Sequence, residues 1–133
     1  MSAPTPITVI AIDDDADDLY MLERALAKVP LPLDILRFPT PDEAAEFFVK
    51  LAASDLPAPL DVVVFCDIKM PRINGFEIVE HLRSHKKFDG FRVYMLSSSN
   101  EPVDRSQAAG LGADGYYQKF PSVTVLTDLL TPR

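Results

Sequence analysis

Five times along this chain a short apolar run gives way to a stretch whose apolar residues recur every three or four positions. That switching of period narrows the possible folds more than any other feature. Ile7 to Ile12 is the first run, rich in β-branched residues. From Asp15 to Val29 the residues Leu19, Leu22, Leu26 and Val29 fall on one helical face, and Pro30 and Pro32 stop that helix. Leu33 to Phe38 reads as a second strand. Thr40 as cap, Pro41 at the first helical position and Glu43 three past the cap open a second helix, with Ala44, Phe47, Phe48 and Leu51 as its apolar face. A loop from Ser54 to Pro59 follows. Asp61 to Cys66 is a third strand, apolar after its first residue, as expected when both sheet faces are covered. Asn74 and Glu77 repeat the cap spacing, and Phe76, Val79 and Leu82 give the third helix its buried stripe. A loop from Lys86 to Gly90 leads to a fourth strand, Arg92 to Leu96. Glu101 to Leu111 is a weaker helix that contains Gly110 and ends at Gly112. Asp114 to Gln118 is a short fifth strand. Ser122 to Leu130 is a last helix with Val125, Leu126, Leu129 and Leu130 apolar.

Strand and helix alternating in this way predict an α/β fold, a parallel sheet with helices on both faces. A length of 133 residues suits one domain and one core. The net charge of -7 and the scattered basic residues, clustered only at His85-Lys86-Lys87, argue against a nucleic-acid partner. No apolar run approaches the roughly 20 residues needed to span a bilayer. The start, Met1 to Pro6, lacks the basic and apolar parts of a signal peptide. A cytoplasmic protein is therefore expected, which the single cysteine, Cys66, also fits. Within an apolar strand Cys66 is expected to pack as a small hydrophobe rather than act as a redox sensor.

Parallel sheets of this kind place their sites at the carboxyl ends of the strands. The first strand ends in Asp13-Asp14-Asp15, the third in Asp67, the fourth in Ser97 to Asn100 and the fifth in Lys119. Each has a plain alternative: acids before a helix answer its dipole, Ser97 to Asn100 can cap the next helix, and lysines usually lie on surfaces. None of these alternatives predicts that the ends should pair carboxylates with one cation and one hydroxyl. Carboxylates held close repel one another unless a cation intervenes. Mg2+, a hard ion that takes oxygen ligands, is the expected cofactor. A carboxylate beside a metal and a lysine can accept a phosphoryl group, the cations offsetting charge on its oxygens.

At this point the chain resembles the receiver domain of two-component response regulators. The matching stretches are VIAIDDD, VVVFCDIKMPRINGFE, YMLSSS and GADGYYQKFP, in order along nearly the whole chain. The resemblance implies a flavodoxin-like, doubly wound five-stranded parallel sheet of order 2-1-3-4-5. It implies one receiver domain over 1–133, with its core over about 7–131 and no output domain. Asp67 would be the phosphoacceptor. Asp13 and Asp14 would hold Mg2+ with Asp67, Asp14 being the more direct ligand, and Lys69 would add its backbone carbonyl. Ser97 and Lys119 would contact the phosphoryl group, and Tyr116 would be the aromatic switch that turns inward on activation. Gly75 would allow a turn conformation that other residues resist. The donor would be a histidine kinase or a histidine phosphotransfer protein, with the downstream protein target and a possible homodimer left open. Catalysis would be limited to the domain's own phosphorylation and dephosphorylation.

Three positions depart from the family pattern. Phe120 stands between Lys119 and Pro121, leaving open whether the Lys119–Phe120 bond is cis; Ser97 replaces the commoner threonine; Tyr117 adjoins Tyr116. Asp17 and Asp18 are expected to be solvated surface. Two other functions compete. A phosphatase of the haloacid dehalogenase type also combines Asp, Ser, Lys and Mg2+, and Asp13-Asp14-Asp15 contains its Asp-x-Asp spacing. That family needs further acids after the lysine, where this chain has only Asp128. A receiver-like binding module that never takes phosphate is the other.

Overall fold

The structure is a computed structural model and describes residues 5–98 and 101–132. Residues 1–4 of the N-terminal segment, residues 99 and 100 of the Ser97 to Asn100 stretch, and Arg133 lie outside the described residues. The chain folds as β1 (Ile7–Ile12), α1 (Ala16–Leu26), β2 (Leu33–Phe38), α2 (Pro41–Ala53), β3 (Val62–Asp67), α3 (Gly75–Arg83), β4 (Arg92–Ser97), α4 (Pro102–Leu111), β5 (Gly115–Gln118) and α5 (Val123–Leu130). The five strands form one parallel sheet in the order β2-β1-β3-β4-β5, as the resemblance implied.

Alternation along the strands builds two cores. Ile10, Ile12, Val64 and Cys66 point to one face and pack with Ala44 and Phe48 of α2, Val79 and Leu82 of α3 and Ala108 of α4. Val9, Ala11, Val63 and Phe65 point to the other and pack with Leu19, Leu22 and Leu26 of α1 and Leu126 and Leu130 of α5. Every residue of β3 is buried, which is why that strand carries no outward polar position. Each fully buried side chain of the Val, Leu, Ile or Phe kind contributes about 1.5–3 kcal/mol relative to exposure.

The helix starts follow the sequence chemistry. Thr40 accepts a hydrogen bond from the Glu43 amide, Asn74 from the Glu77 amide and Ser122 from the Val125 amide. Gly112 closes α4 with φ 99°, a left-handed conformation that favours glycine. Glu101, not Ser97, is the residue that precedes α4 as its cap, and its side chain makes no capping bond. The Lys86 to Gly90 segment, expected as a plain loop, contains a one-turn 3-10 helix over Lys86–Phe88. Phe88 drives it: the ring is buried against Phe48, His85 and Phe91 at centroid distances of 6.0, 5.9 and 5.0 Å.

At the amino-terminal rim two arginines fasten the sheet. The third strand begins one residue later than expected, because Asp61 is drawn off to meet Arg92 at 3.0 Å. The Arg92 guanidinium also donates to the carbonyls of Leu129 and Thr131, closing the end of α5. Arg83 donates to Gly112, Phe88 and Phe91 carbonyls and pairs with Asp114 at 2.9 Å. The opposite, carboxyl-terminal rim is left for the acidic residues. No helix among the described residues is long and apolar enough to cross a membrane.

Candidate functional site

Strand register brings the expected residues together. Ile12 pairs with Cys66, so Asp13 and Asp67, the next residue of each strand, stand side by side. Asp67 pairs with Leu96, and Ser97 with Gln118, which sets Ser97 and Lys119 on the adjoining strand ends. Carboxylate oxygens of Asp13, Asp14 and Asp67 all lie within 4.8 Å of one another. Asp13 and Asp67 are buried, whereas Asp14 is exposed at the mouth. Ser97 is buried at the end of β4, and its carbonyl accepts from the Lys119 amide at 2.8 Å. Lys69 follows in the loop after β3 with an exposed side chain.

Lys119 reaches into this cluster, and its side chain is almost wholly buried. Its Nζ stands 2.8 Å from Asp13 Oδ2, 2.8 Å from Asp18 Oδ2 and 3.3 Å from Asp67 Oδ1. The Lys119–Phe120 peptide bond is cis. Asp18 corrects the expectation that it is a solvated surface residue. α1 starts at Ala16, capped by Asp15, so Asp18 lies in the first turn next to the buried stripe that begins at Leu19, and faces the rim. Asp18 stands four residues before the buried Leu22 and so shares its face, but the partner, Lys119, is 101 residues away; Asp17, on the outer side, is exposed as expected.

Charge and burial oppose each other here. Burial, with the nearby Asp13 charge, pushes the Asp67 carboxyl up from its ordinary value near 3.8 to about 6. Burial also raises Asp13, although bonds from Lys119 and the Asp15 amide work against it. For Lys119 burial disfavours the charge, but the hydrogen bonds to Asp13 and Asp18 outweigh it and hold the pKa well above the ordinary value. Burial, then the Asp67 charge, likewise pushes the Cys66 thiol far up, which leaves it a packed, inert group.

A raised carboxylate pKa favours the folded state fully below the ordinary value, and that contribution is lost as pH rises through the folded value. For Asp67 the change from 3.8 to about 6 corresponds to about 3 kcal/mol. The metal-free Asp67→Asn variant is therefore expected to gain stability on the parent as pH rises from 4 to 7.5, by up to about 3 kcal/mol. Urea denaturation of both proteins at the two pH values checks it. An equal stability difference at both would contradict the raised pKa.

Gly75 sits beside the same strand end, for a reason other than the one expected. Its φ is not positive; among the described residues the positive values belong to Gly112 and Arg72. What glycine provides is closeness. A Cβ there would run into the Asp67 carbonyl oxygen and come within 2.7 Å of Met95 Cε. The Gly75 amide donates to the Ile68 carbonyl at 2.8 Å, drawing the start of α3 onto the acceptor strand.

The two tyrosines separate cleanly. Tyr116 is buried on the α3 and α4 face, with the Arg105 guanidinium 4.9 Å from its ring centroid. Tyr117 packs toward the α1 and α5 face, edge-on to Tyr94 at 6.0 Å. The Tyr116 ring is thus already inside in this structure.

The donor set suits Mg2+: three carboxylates on a rigid rim, one open to water, with no soft ligand among them. Asp15, the third acid of the run, instead accepts from the amides of Asp17 and Asp18 as the cap of α1.

Comparison with known proteins agrees with this geometry. Residues 9–131 match the response regulator receiver domain. The protein RcaC of Microchaete diplosiphon is 32% identical over 114 residues, covering 86% of this chain and 16% of RcaC. A two-component response regulator from Cytophaga hutchinsonii superposes with a TM-score of 0.79 at 25% identity, covering 95% of each chain. A Burkholderia pseudomallei response regulator with a phosphorylated aspartic acid and a calcium ion superposes with a TM-score of 0.72 at 22% identity, over 94% of this chain and 66% of that one. The chain spans less than half the length of several curated relatives it matches, 42% and 46% in two of them. With the fold, the strand-end residues and the match over residues 9–131 in agreement, the chain belongs to the response regulator receiver domains, the phosphoacceptor domains of two-component signalling.

Proposed function

We propose that this chain accepts a phosphoryl group on Asp67 from a phosphohistidine of a histidine kinase or histidine phosphotransfer protein. The single observation that carries the reading is the convergence of Asp13, Asp14 and Asp67 within 4.8 Å with the Lys119 ammonium 3.3 Å from Asp67. In the transfer an Asp67 carboxylate oxygen attacks phosphorus, the new O–P bond forms, and the N–P bond to the donor imidazole breaks. Asp13, Asp14 and Asp67, with the Lys69 backbone carbonyl, would hold Mg2+, which supplies charge neutralisation of the phosphoryl oxygens. Lys119 donates to those oxygens, and Ser97, at the end of the neighbouring strand, supplies a hydroxyl. The phosphorylated aspartic acid of the Burkholderia relative supports the same chemistry by analogy.

The output of the transfer is a changed protein-binding face. Tyr116 links the site to α4 through Arg105, whose Nη1 donates to the Tyr116 carbonyl at 3.3 Å. The charge added at Asp67 would bias that contact and thereby the face around α4, β5 and α5.

The test is intact mass after incubation with acetyl phosphate, with and without Mg2+, followed by site mapping. A Mg2+-dependent gain of one phosphoryl group at Asp67 is the expected result. No gain from acetyl phosphate or from phosphorylated histidine kinase in a folded, Mg2+-binding protein would leave the binding-module reading in its place. Lys119→Ala is expected to retain slow uptake but lose the coupled response. Amide shifts of residues 102–118 on adding beryllofluoride with Mg2+ should move in the parent and stay put in the variant. Equal shifts in both would count against the role of Lys119.

A further inference from the structure

Lys119 has one more carboxylate around it than a phosphoryl contact requires. Its ammonium carries three N–H donors, and three carboxylates stand against it. Asp13 and Asp67 belong to the acidic cluster at the mouth; Asp18 does not. Asp18 is rooted in a different element: its amide donates to the Asp15 cap at 3.1 Å, in the first turn of α1. Its contact with Nζ is as short as that of Asp13 and 0.5 Å shorter than that of Asp67. The lysine side chain is 8% exposed and that of Asp18 31%, so the pair is screened less than a surface bridge. The cation thus stands nearer to Asp18 of α1 and to Asp13 than to the acceptor.

A phosphoryl group on Asp67 places new negative oxygens beside the same ammonium and needs one of its N–H donors. The Asp18 charge works against that step twice, by competing for Lys119 and by repelling an anionic donor. We infer that Asp18 is a positioning residue, a restraint that holds Lys119 back on α1 and so lowers the affinity of the acceptor pocket for a phosphoryl group. The inference rests on Asp67 being the acceptor. It makes α1 a participant in the phosphorylation equilibrium, since the ammonium must be drawn partly off that helix whenever Asp67 is loaded.

Two variants separate charge from hydrogen bonding. Asp18→Asn keeps a carbonyl oxygen that can accept from Nζ but removes the charge; Asp18→Ala removes both. The probe is beryllofluoride, titrated by calorimetry at saturating Mg2+ so that any change in metal affinity does not enter. Binding is expected to tighten about three- to tenfold in Asp18→Asn and at least as much in Asp18→Ala. Phosphoryl uptake from acetyl phosphate should quicken in the same order. A merely structural role would lower the melting temperature and leave the beryllofluoride affinity where it was. Unchanged or weaker binding in Asp18→Asn, with circular dichroism like the parent's, overturns the inference, and that variant decides the matter if Asp18→Ala does not fold. Failure of the parent itself to bind beryllofluoride or gain phosphate would instead overturn the Asp67 assignment, and this inference with it.

Discussion

Asp67→Asn is expected to take up no phosphoryl group from acetyl phosphate, with or without Mg2+, while keeping the far-ultraviolet circular dichroism of the parent. The substitution keeps the shape of the side chain and removes the anionic oxygen that must attack phosphorus. Its neighbours do not substitute for it. Asp13 Oδ1 accepts from the Asp15 amide at 3.0 Å and Oδ2 is paired with Lys119 at 2.8 Å. Asp14 is exposed, so its carboxylate lies outside the buried pocket where Lys119 and Ser97 gather. Nor is the fold at risk, because burial and the Asp13 charge make an ionised Asp67 a burden on the native state. Intact mass before and after acetyl phosphate reads the result directly. A variant that gained phosphate at the parent's rate would sink the assignment of Asp67.

Gly75→Ala should do nearly as much harm without touching a charged group. The new methyl would collide with the Asp67 carbonyl oxygen, a backbone atom with no room to yield, and press on Met95 Cε. Forcing a methyl into a packed position typically costs about 1–3 kcal/mol. Relief requires α3 or the end of β3 to move, and either displaces the acceptor. A shift on the order of 1 Å in a reacting group can cost about 10²-fold in rate. Slower uptake of that order, with a lower urea midpoint, is the expected outcome. Gly90→Ala is the control: a Cβ there meets nothing within 4 Å, and its effect should stay within about 0.5 kcal/mol. Matching losses in both variants would show that the contact between α3 and Asp67 has no special weight.

Much of this molecule was readable from residue order because local chemistry and tertiary structure agree. β1 and β2 run over the same residues as the apolar runs that announce them. Thr40 and Asn74 cap the helices that their spacing foretold. Asp67 and Lys119 could be singled out because a parallel sheet gathers its strand ends on one rim. What escaped was whatever depends on a neighbour distant in sequence. Asp18 looked like one more acid at a helix start until β5 brought Lys119 against it, 101 residues away. Gly75 was credited with a conformational role, but its need is for space against a strand in another part of the fold. The 3-10 turn at Lys86–Phe88 forms because Phe88 finds a pocket under α2, which no local pattern in that segment encodes.

Cys66 offers an experimental handle on all of this. It is the chain's one cysteine, sealed in the central strand, with its thiol donating to the Asp67 carbonyl at 3.2 Å. A thiol reagent can reach it only when the helix layer of α2 and α3 lifts from the sheet beside the acceptor. The rate of labelling is then a clock for opening events at that point, and it runs without any dye or tag being added to the protein. Slowing of that clock by Mg2+ or by beryllofluoride would measure, in the unmodified chain, how far each ligand holds that core shut.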